Sequence, residues 1–157
     1  MKVKVMGHRR NHEISQSDEH YTPKSLFDAM ALTFDLDVAA PEFGVPWLPA
    51  KNHYSLQNDG LENDWYGRVW LNPPYSKPTP WVDKFIDHGN GVALLVVSKS
   101  KWFHKLWEAA HGICPTPREL KFERPDGHRR QIAFQTFLFA IGEENVQGLK
   151  RLTEKTR

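Results

Sequence analysis

The stretch Val69-Trp70-Leu71-Asn72-Pro73-Pro74-Tyr75 decides how this chain is read. Residues 68–71 are short, β-branched and aromatic, which predicts a strand ending on a polar residue. Two prolines follow, and prolines fix φ and end strands, so the bland reading of Asn72 to Tyr75 is a turn and nothing more. The sharper reading uses position. In open α/β sheets ligands bind at the carboxyl ends of the strands, and Asn72 stands at such an end. Neither Pro73 nor Pro74 carries an N–H, so the turn offers carbonyl oxygens in a stiff frame with few competing donors.

Asn72 Oδ1 and the Pro73 carbonyl are two acceptors that can converge on one amino group, and Tyr75 is a flat ring suited to stacking on a planar base. An aromatic exocyclic amine is a poor nucleophile because its lone pair is delocalised into the ring. Two acceptors hold its hydrogens, favour a pyramidal nitrogen and stabilise the positive charge that develops during attack. That is preorganised electrostatics and needs no tuned side-chain pKa.

Working outward, the flanking pattern alternates strand and helix. Tyr21-Thr22-Pro23 predicts a helix start, with Thr22 as cap, Pro23 at the first helical position, and an apolar stripe of Leu26, Phe27 and Met30 ending near Leu32. Residues 34–38 alternate and predict a strand. Ala39-Ala40-Pro41 follows, small enough for a ligand to approach the backbone. Residues 41–52, with three prolines, predict loop, and residues 53–56 a short strand. Asn58-Asp59-Gly60-Leu61 is a turn signal, in which Asp59 is either a strand-end acid or simply a turn residue. Thr79-Pro80 opens a second helix with Trp81, Val82, Phe85 and Ile86 buried and Gly89 or Gly91 at its end. Residues 92–97 are continuously apolar, as in a parallel strand covered on both faces. Ser98 or Ser100 caps a third helix whose apolar side holds Trp102, Phe103, Leu106, Trp107 and Ala110. Residues 112–131 predict irregular chain, with an edge strand at 120–123 paired as a hairpin with 132–141. Residues 143–152 predict a final helix. The sum is an α/β sandwich with an antiparallel end, and right-handed crossovers leave few alternatives.

A length of 157 residues fits one domain, and no apolar run approaches the roughly 18 residues of a membrane span. The basic, polar start has no apolar signal region. Residues 1–18 predict an arm, with a short strand at 3–5, and 19–157 a single domain. Cys114 is alone, so no internal disulfide framework exists; a reduced, cytoplasmic setting and a small core role for Cys114 follow. His8 and His12 could share a helix face, but no further ligand accompanies them, and no metal site is expected. The net charge of +2 conceals an asymmetry: residues 13–64 hold ten acids against Lys24 and Lys51, −8, leaving +10 elsewhere. An acidic part suits a cationic ligand and a basic part suits phosphate; a merely uneven spread of solvated charge is the alternative.

With Tyr21-Thr22-Pro23, Phe34-Asp35-Leu36-Asp37-Val38-Ala39-Ala40, Asp59-Gly60-Leu61, Asp64-Trp65, Val69 to Tyr75, Pro80-Trp81 and Leu120-Lys121-Phe122 in this order, the chain resembles the phage-type DNA N6-adenine methyltransferases over about residues 20–140. Their order and spacing together carry the resemblance. It implies a Rossmann-like class I methyltransferase fold with a reduced, mostly parallel sheet and a C-terminal antiparallel hairpin. It further implies S-adenosylmethionine as cofactor and double-stranded DNA as partner, in host cytoplasm if the gene is a bacteriophage's. Asn72, Pro73, Pro74 and Tyr75 would hold the target adenine, flipped out of the stack. Tyr21, Thr22, Pro23, Asp37, Ala39, Asp59 and Gly60 would contact the cofactor: Thr22 and Pro23 at its methionine end, Asp37 at its amino or sulfonium region, Asp59 at its adenine. Lys99, Lys101, Trp102, Arg118, Arg124, Arg129 and Arg130 are the candidates for DNA, with core packing the alternative for Trp102 and a solvated loop for the arginines. The first loop is Ala39-Ala40-Pro41 where many wider relatives are glycine-rich, Glu42 is the candidate for gripping ribose, and base reading falls to loops because no separate recognition domain is present. The same turn also fits cytosine N4 or a protein glutamine amide, although cytosine enzymes usually carry Ser in place of Asn72, and a non-enzymatic DNA-binding relative is a further alternative.

Overall fold

The apolar run after residue 90 forms the middle of the sheet because both its faces find a helix layer. The computed structural model describes residues 21–55, 59–118, 122–123, 129–130 and 135–155. Its elements are α1 (Lys24–Met30), β1 (Phe34–Ala40), β2 (Ala50–Ser55), β3 (Val69–Leu71), α2 (Thr79–His88), β4 (Gly91–Val96), α3 (Lys101–Ala109), β5 (Gly112–Pro115), β6 (Phe122–Glu123), β7 (Arg129–Arg130), β8 (Thr136–Ile141) and α4 (Glu143–Lys155). The six-stranded sheet runs β2-β1-β3-β4-β8-β5. The first four strands are mutually parallel, and β8 is antiparallel to both β4 and β5. β5 therefore points the same way as β1 to β4, and β8 is the one reversed strand of this sheet.

Two apolar layers sandwich it. On one side Trp81, Val82 and Phe85 of α2 and Phe103 and Leu106 of α3 meet Leu36, Val38, Val69, Leu71, Ala93, Leu95 and Phe139. On the other, Leu26, Phe27 and Met30 of α1 and Leu149 and Leu152 of α4 meet Phe34, Trp70, Val92, Leu94, Leu138 and Ala140. Residues 92 to 95 alternate between the two layers, the pattern the continuous run predicts. Each fully buried large side chain, Trp70 and Phe85 among them, stabilises the fold by about 2–3 kcal/mol. Gly148 lets α4 approach closely, since a Cβ there would lie 2.4 Å from Leu32 Cδ1.

Several expectations need correction. The hairpin of 120–123 with 132–141 does not form: Phe122 pairs with Arg130 and Glu123 with Arg129 in a separate two-stranded sheet. The run from Thr136 instead fills the slot between β4 and β5. Residues 132–134 of the expected strand lie outside the described residues. Gly112–Pro115 is a strand, not irregular chain; Pro115 is tolerated because it ends an edge strand. β2 begins at Ala50, inside the expected loop, and pairs along β1. At α1, Pro23 is itself the cap, with extended backbone (φ −70°, ψ 152°) and no side-chain cap bond, so Thr22 does not cap. That helix closes on Ala31 in the left-handed region, next to Leu32, where its sequence predicts an end. The second helix stops on Gly89 at φ 77°, as its sequence predicts. Ser100 occupies the cap position of α3 without a side-chain cap bond. The arm of 1–18, with its strand at 3–5 and with His8 and His12, lies outside the described residues.

Candidate active site

β1, which carries Asp37, and β3, which leads into Asn72, are parallel neighbours in the sheet. Leu36 pairs with Val69 and Asp37 with Trp70. Asn72 follows Leu71, the last residue of β3, and so stands at the carboxyl edge just past the Asp37–Trp70 pair; β1 shifts register against β2 between Asp37 and Ala40. Parallel partners share a face. Trp70 packs its ring at 4.8 Å from Phe27 and 5.7 Å from Phe34, on the α1 side. Asp37 therefore sits on that side too. Simple alternation would put Phe34 and Asp37 on opposite faces. The Asp35 and Leu36 N–H groups both donate to the Arg68 carbonyl, at 2.8 and 3.4 Å, and this local doubling shifts the alternation by one.

Asn72 is half-buried, Pro73 buried, and Pro74 and Tyr75 half-buried. The Lys77 N–H donates to the Pro74 carbonyl at 3.3 Å and closes the turn. The amide of Asn72 thus stands at the rim of the sheet and is not sealed inside the core.

Asp37 is 4% exposed. Its Oδ1 accepts the Ala39 N–H at 3.3 Å, and among the described residues it forms no ion pair. Burial pushes the carboxyl up to about 7, partly opposed by that N–H. Thr22 is 2% exposed and its Oγ1 has no hydrogen-bond partner among the described residues. A buried hydroxyl lacking a partner and a buried carboxylate lacking a cation are each costly. Tyr21-Thr22-Pro23 is tied down by Trp47, whose Nε1–H donates to the Thr22 carbonyl at 2.7 Å and whose ring meets Tyr21 edge-on at 6.0 Å. The sequence marks Trp47 only as a lone indole in a proline-rich loop.

Gly60 lies against the end of β1 from the α2 side. A Cβ there would fall 2.1 Å from the Val38 carbonyl oxygen and 3.1 Å from the Trp81 ring, so only glycine fits. Asp59 is exposed at φ 54°, and its Oδ1 accepts the Leu61 N–H at 3.1 Å. One carboxylate oxygen therefore does the turn work that the bland reading assigned to it. The loop is held by Trp65 Nε1–H on the Gly60 carbonyl at 2.7 Å and by the Tyr54 hydroxyl on the Asp64 carbonyl at 2.7 Å.

Lys99 and Lys101 are exposed and flank the start of α3, just beyond the carboxyl end of β4. Arg118 is exposed three residues past the end of β5, hence at the same edge. Trp102 is half-buried and packs at 5.7 Å against Phe103, which favours its core reading. Glu42 is exposed in the loop after β1. Arg124 lies outside the described residues; Arg129 and Arg130 form the backbone of β7, and their side chains lie outside them. Among the described residues no group of three His, Cys, Asp or Glu side chains is placed to hold a metal ion, and no helix is long and apolar enough to cross a membrane.

Over 79 residues the chain is 38% identical to the "DNA N-6-adenine-methyltransferase" of Haemophilus phage HP1, covering 46% of this chain and 44% of that protein. Over 78 residues it is 36% identical to the protein of the same description from Escherichia phage T1, covering 45% of this chain and 31% of that one. The chain thus spans less than half the length of these curated relatives. No solved structure matches it. A sequence model described as DNA N-6-adenine-methyltransferase (Dam) matches residues 10–132, well over half of the chain, and the protein belongs to that family.

Proposed function

We propose that this protein transfers a methyl group from S-adenosylmethionine to N6 of adenine in double-stranded DNA. The observation that carries the reading is the Asn72-Pro73-Pro74-Tyr75 turn at the carboxyl end of β3, beside the parallel strand β1, whose buried Asp37 pairs with Trp70 two residues before Asn72. The strand order, with antiparallel β8 wedged between parallel strands, supports a Rossmann-like class I methyltransferase fold with one domain from residue 19 onward.

The residues present fit the cofactor. Among the described residues the buried Thr22 Oγ1 has no hydrogen-bond partner, and buried Asp37 has the Ala39 N–H but no cation, which suits a ligand bearing positive charge. Thr22 and Pro23 would meet its methionine end, with Tyr21 and Ala39 beside them; Asp37 would face its ammonium or sulfonium, and Asp59 and Gly60 its adenine. When bound, it supplies an electrophilic methyl group on sulfur. The chain does the rest by positioning. Asn72 Oδ1 and the Pro73 carbonyl accept the two N6 hydrogens and draw the lone pair out of the ring, and the rigid Pro73-Pro74 backbone keeps both oxygens from relaxing. Tyr75 stacks on the flipped base, whose unstacking costs a few kcal/mol. The N6 proton leaves to solvent after transfer, with no covalent enzyme intermediate. Lys99, Lys101 and Arg118 would neutralise phosphates along the edge, Arg124, Arg129 and Arg130 are further candidates, and Trp102 would support them from the core. A DNA substrate implies work in the cytoplasm of the cell that holds it.

The test is methyl transfer from labelled S-adenosylmethionine to DNA, followed by digestion to nucleosides. N6-methyladenine is the expected product, and N4-methylcytosine or no label would refute the assignment. Asn72→Ala is expected to lower methylation at least a hundredfold with an unchanged melting temperature, and undiminished incorporation would refute the role of the amide.

A further inference from the structure

The loop that carries Asp59 and Gly60 is held by a cation that no motif pointed to. Lys84, on α2, directs its ammonium at three backbone carbonyls of that one loop: Asn63 at 2.6 Å, Leu61 at 2.8 Å and Gly60 at 3.4 Å. It also stands 5.3 Å from the centre of the Trp65 ring. Trp65 in turn donates to the Gly60 carbonyl at 2.7 Å, so indole and ammonium share one acceptor. Lys84 is half-buried, and among the described residues it forms no ion pair, unlike its neighbour Asp83, which pairs with Lys105 at 2.9 Å. An ammonium has three donors, and here all three point into one segment of main chain.

That segment would not hold this shape alone. Asp59 sits in the left-handed region, which costs a residue with a Cβ about 1 kcal/mol, and residues 59–65 contain no helix or strand. Gly60 must also press its backbone against the Val38 carbonyl at the end of β1. Partly desolvated hydrogen bonds to a charged donor are strong enough to fix such a loop.

We propose that Lys84 is a positioning residue for cofactor binding: it fixes residues 59–65 against the carboxyl end of β1, so that the wall of the S-adenosylmethionine site is formed before the ligand arrives. The inference rests on the cofactor reading given above. Preorganisation of a wall acts on affinity and leaves the reacting atoms alone. Lys84→Met keeps the stem on Trp65 and removes the ammonium. It is expected to weaken S-adenosylmethionine binding about tenfold by calorimetry, to leave kcat at saturating cofactor within twofold, and to speed amide exchange at residues 61–65 in the free protein. Lys84→Cys in a Cys114→Ser background, alkylated with 2-bromoethylamine, rebuilds an ammonium of nearly the same reach and should restore the affinity. If wild type binds the cofactor and Lys84→Met binds it equally well, the positioning role is overturned while the site reading stands. If wild type binds no S-adenosylmethionine, the site reading falls and this inference falls with it. A kcat loss as large as the affinity loss would also overturn it, because that pattern belongs to general damage of the fold.

Discussion

Replacing Asp37 by Asn should make the protein more stable and worse at binding its cofactor. The carboxyl is buried, and its folded-state pKa rises from 3.8 to about 7. Between those values the unfolded chain has released the proton while the folded chain retains it, so stability falls as pH climbs from about 4 to 7 and stays low above that. A shift of that size corresponds to a ceiling of roughly 4 kcal/mol at 1.36 kcal/mol per unit, and local relaxation reduces it to about 2. Asn keeps an acceptor for the Ala39 N–H and carries no charge. Asp37→Asn should therefore gain about 2 kcal/mol at pH 8 and nothing at pH 4, measured by denaturant unfolding at both. Binding should respond in the opposite sense. A cationic ligand favours the ionised carboxylate, so wild-type affinity for S-adenosylmethionine should rise with pH up to about 7. The Asn variant should lose that slope and bind at least tenfold more weakly at pH 7. A variant less stable than wild type at pH 8, or one that binds the cofactor with an unchanged pH profile, would refute the reasoning.

Gly60→Ala should displace the Asp59-Gly60 turn, because its Cβ would overlap the Val38 carbonyl; a loss of at least 2 kcal/mol in unfolding free energy and weaker cofactor binding are expected. The double change Lys99→Ala, Lys101→Ala should lower the slope of log K against log salt for DNA binding by up to about 2, with cofactor affinity unchanged in calorimetry. Arg68→Met should act at the far edge of the sheet. Its guanidinium donates to Asn145 Oδ1, to the Thr33 carbonyl at 3.0 Å and to Glu144 at 2.6 Å, beside a cavity of about 410 Å³ that Arg151 also lines. It should cost roughly 2–3 kcal/mol in thermal unfolding while kcat, assayed well below the melting temperature, stays the same.

The parts of the fold legible in the sequence are those whose signal is local. β4 announces itself by six consecutive apolar residues, and α2 by Thr79-Pro80 at one end and Gly89 at the other. The sequence of β8 predicts a strand but not its neighbours, which are β4 and β5 and not residues 120–123. Its residues are buried on almost every position, as befits a strand between β4 and β5, yet nothing in 136–141 specifies which strands flank it. Pairing over such separations is decided by the whole set of layers, and a hairpin guess is only the cheapest closure in chain entropy. β5 is hidden for a similar reason, since Pro115 reads as a breaker until its place at an edge is known.

The candidate site divides along the same line. Asn72 to Tyr75 is contiguous, so its chemistry could be argued from four residues. The other candidate residues lie on separate segments of the chain, and it takes the pairing of β1 with β3, Asp37 beside Trp70, to bring Asp37 near the strand that leads into Asn72. The residues overlooked are Trp47 and Lys84, and both act on backbone carbonyls of other segments: Thr22 for one, Gly60, Leu61 and Asn63 for the other. A carbonyl acceptor leaves no trace in side-chain identity, so no pattern of residue types records which loop a lysine will hold. What the sequence does record is the constraint at the receiving end. Gly60 can be nothing else where the loop meets Val38, and a glycine that must touch a strand end implies some group nearby that keeps it there. In this chain the Gly60 carbonyl accepts from the Trp65 indole at 2.7 Å, and the Lys84 ammonium, carried by the same helix that buries Trp81 against Gly60, reaches it at 3.4 Å.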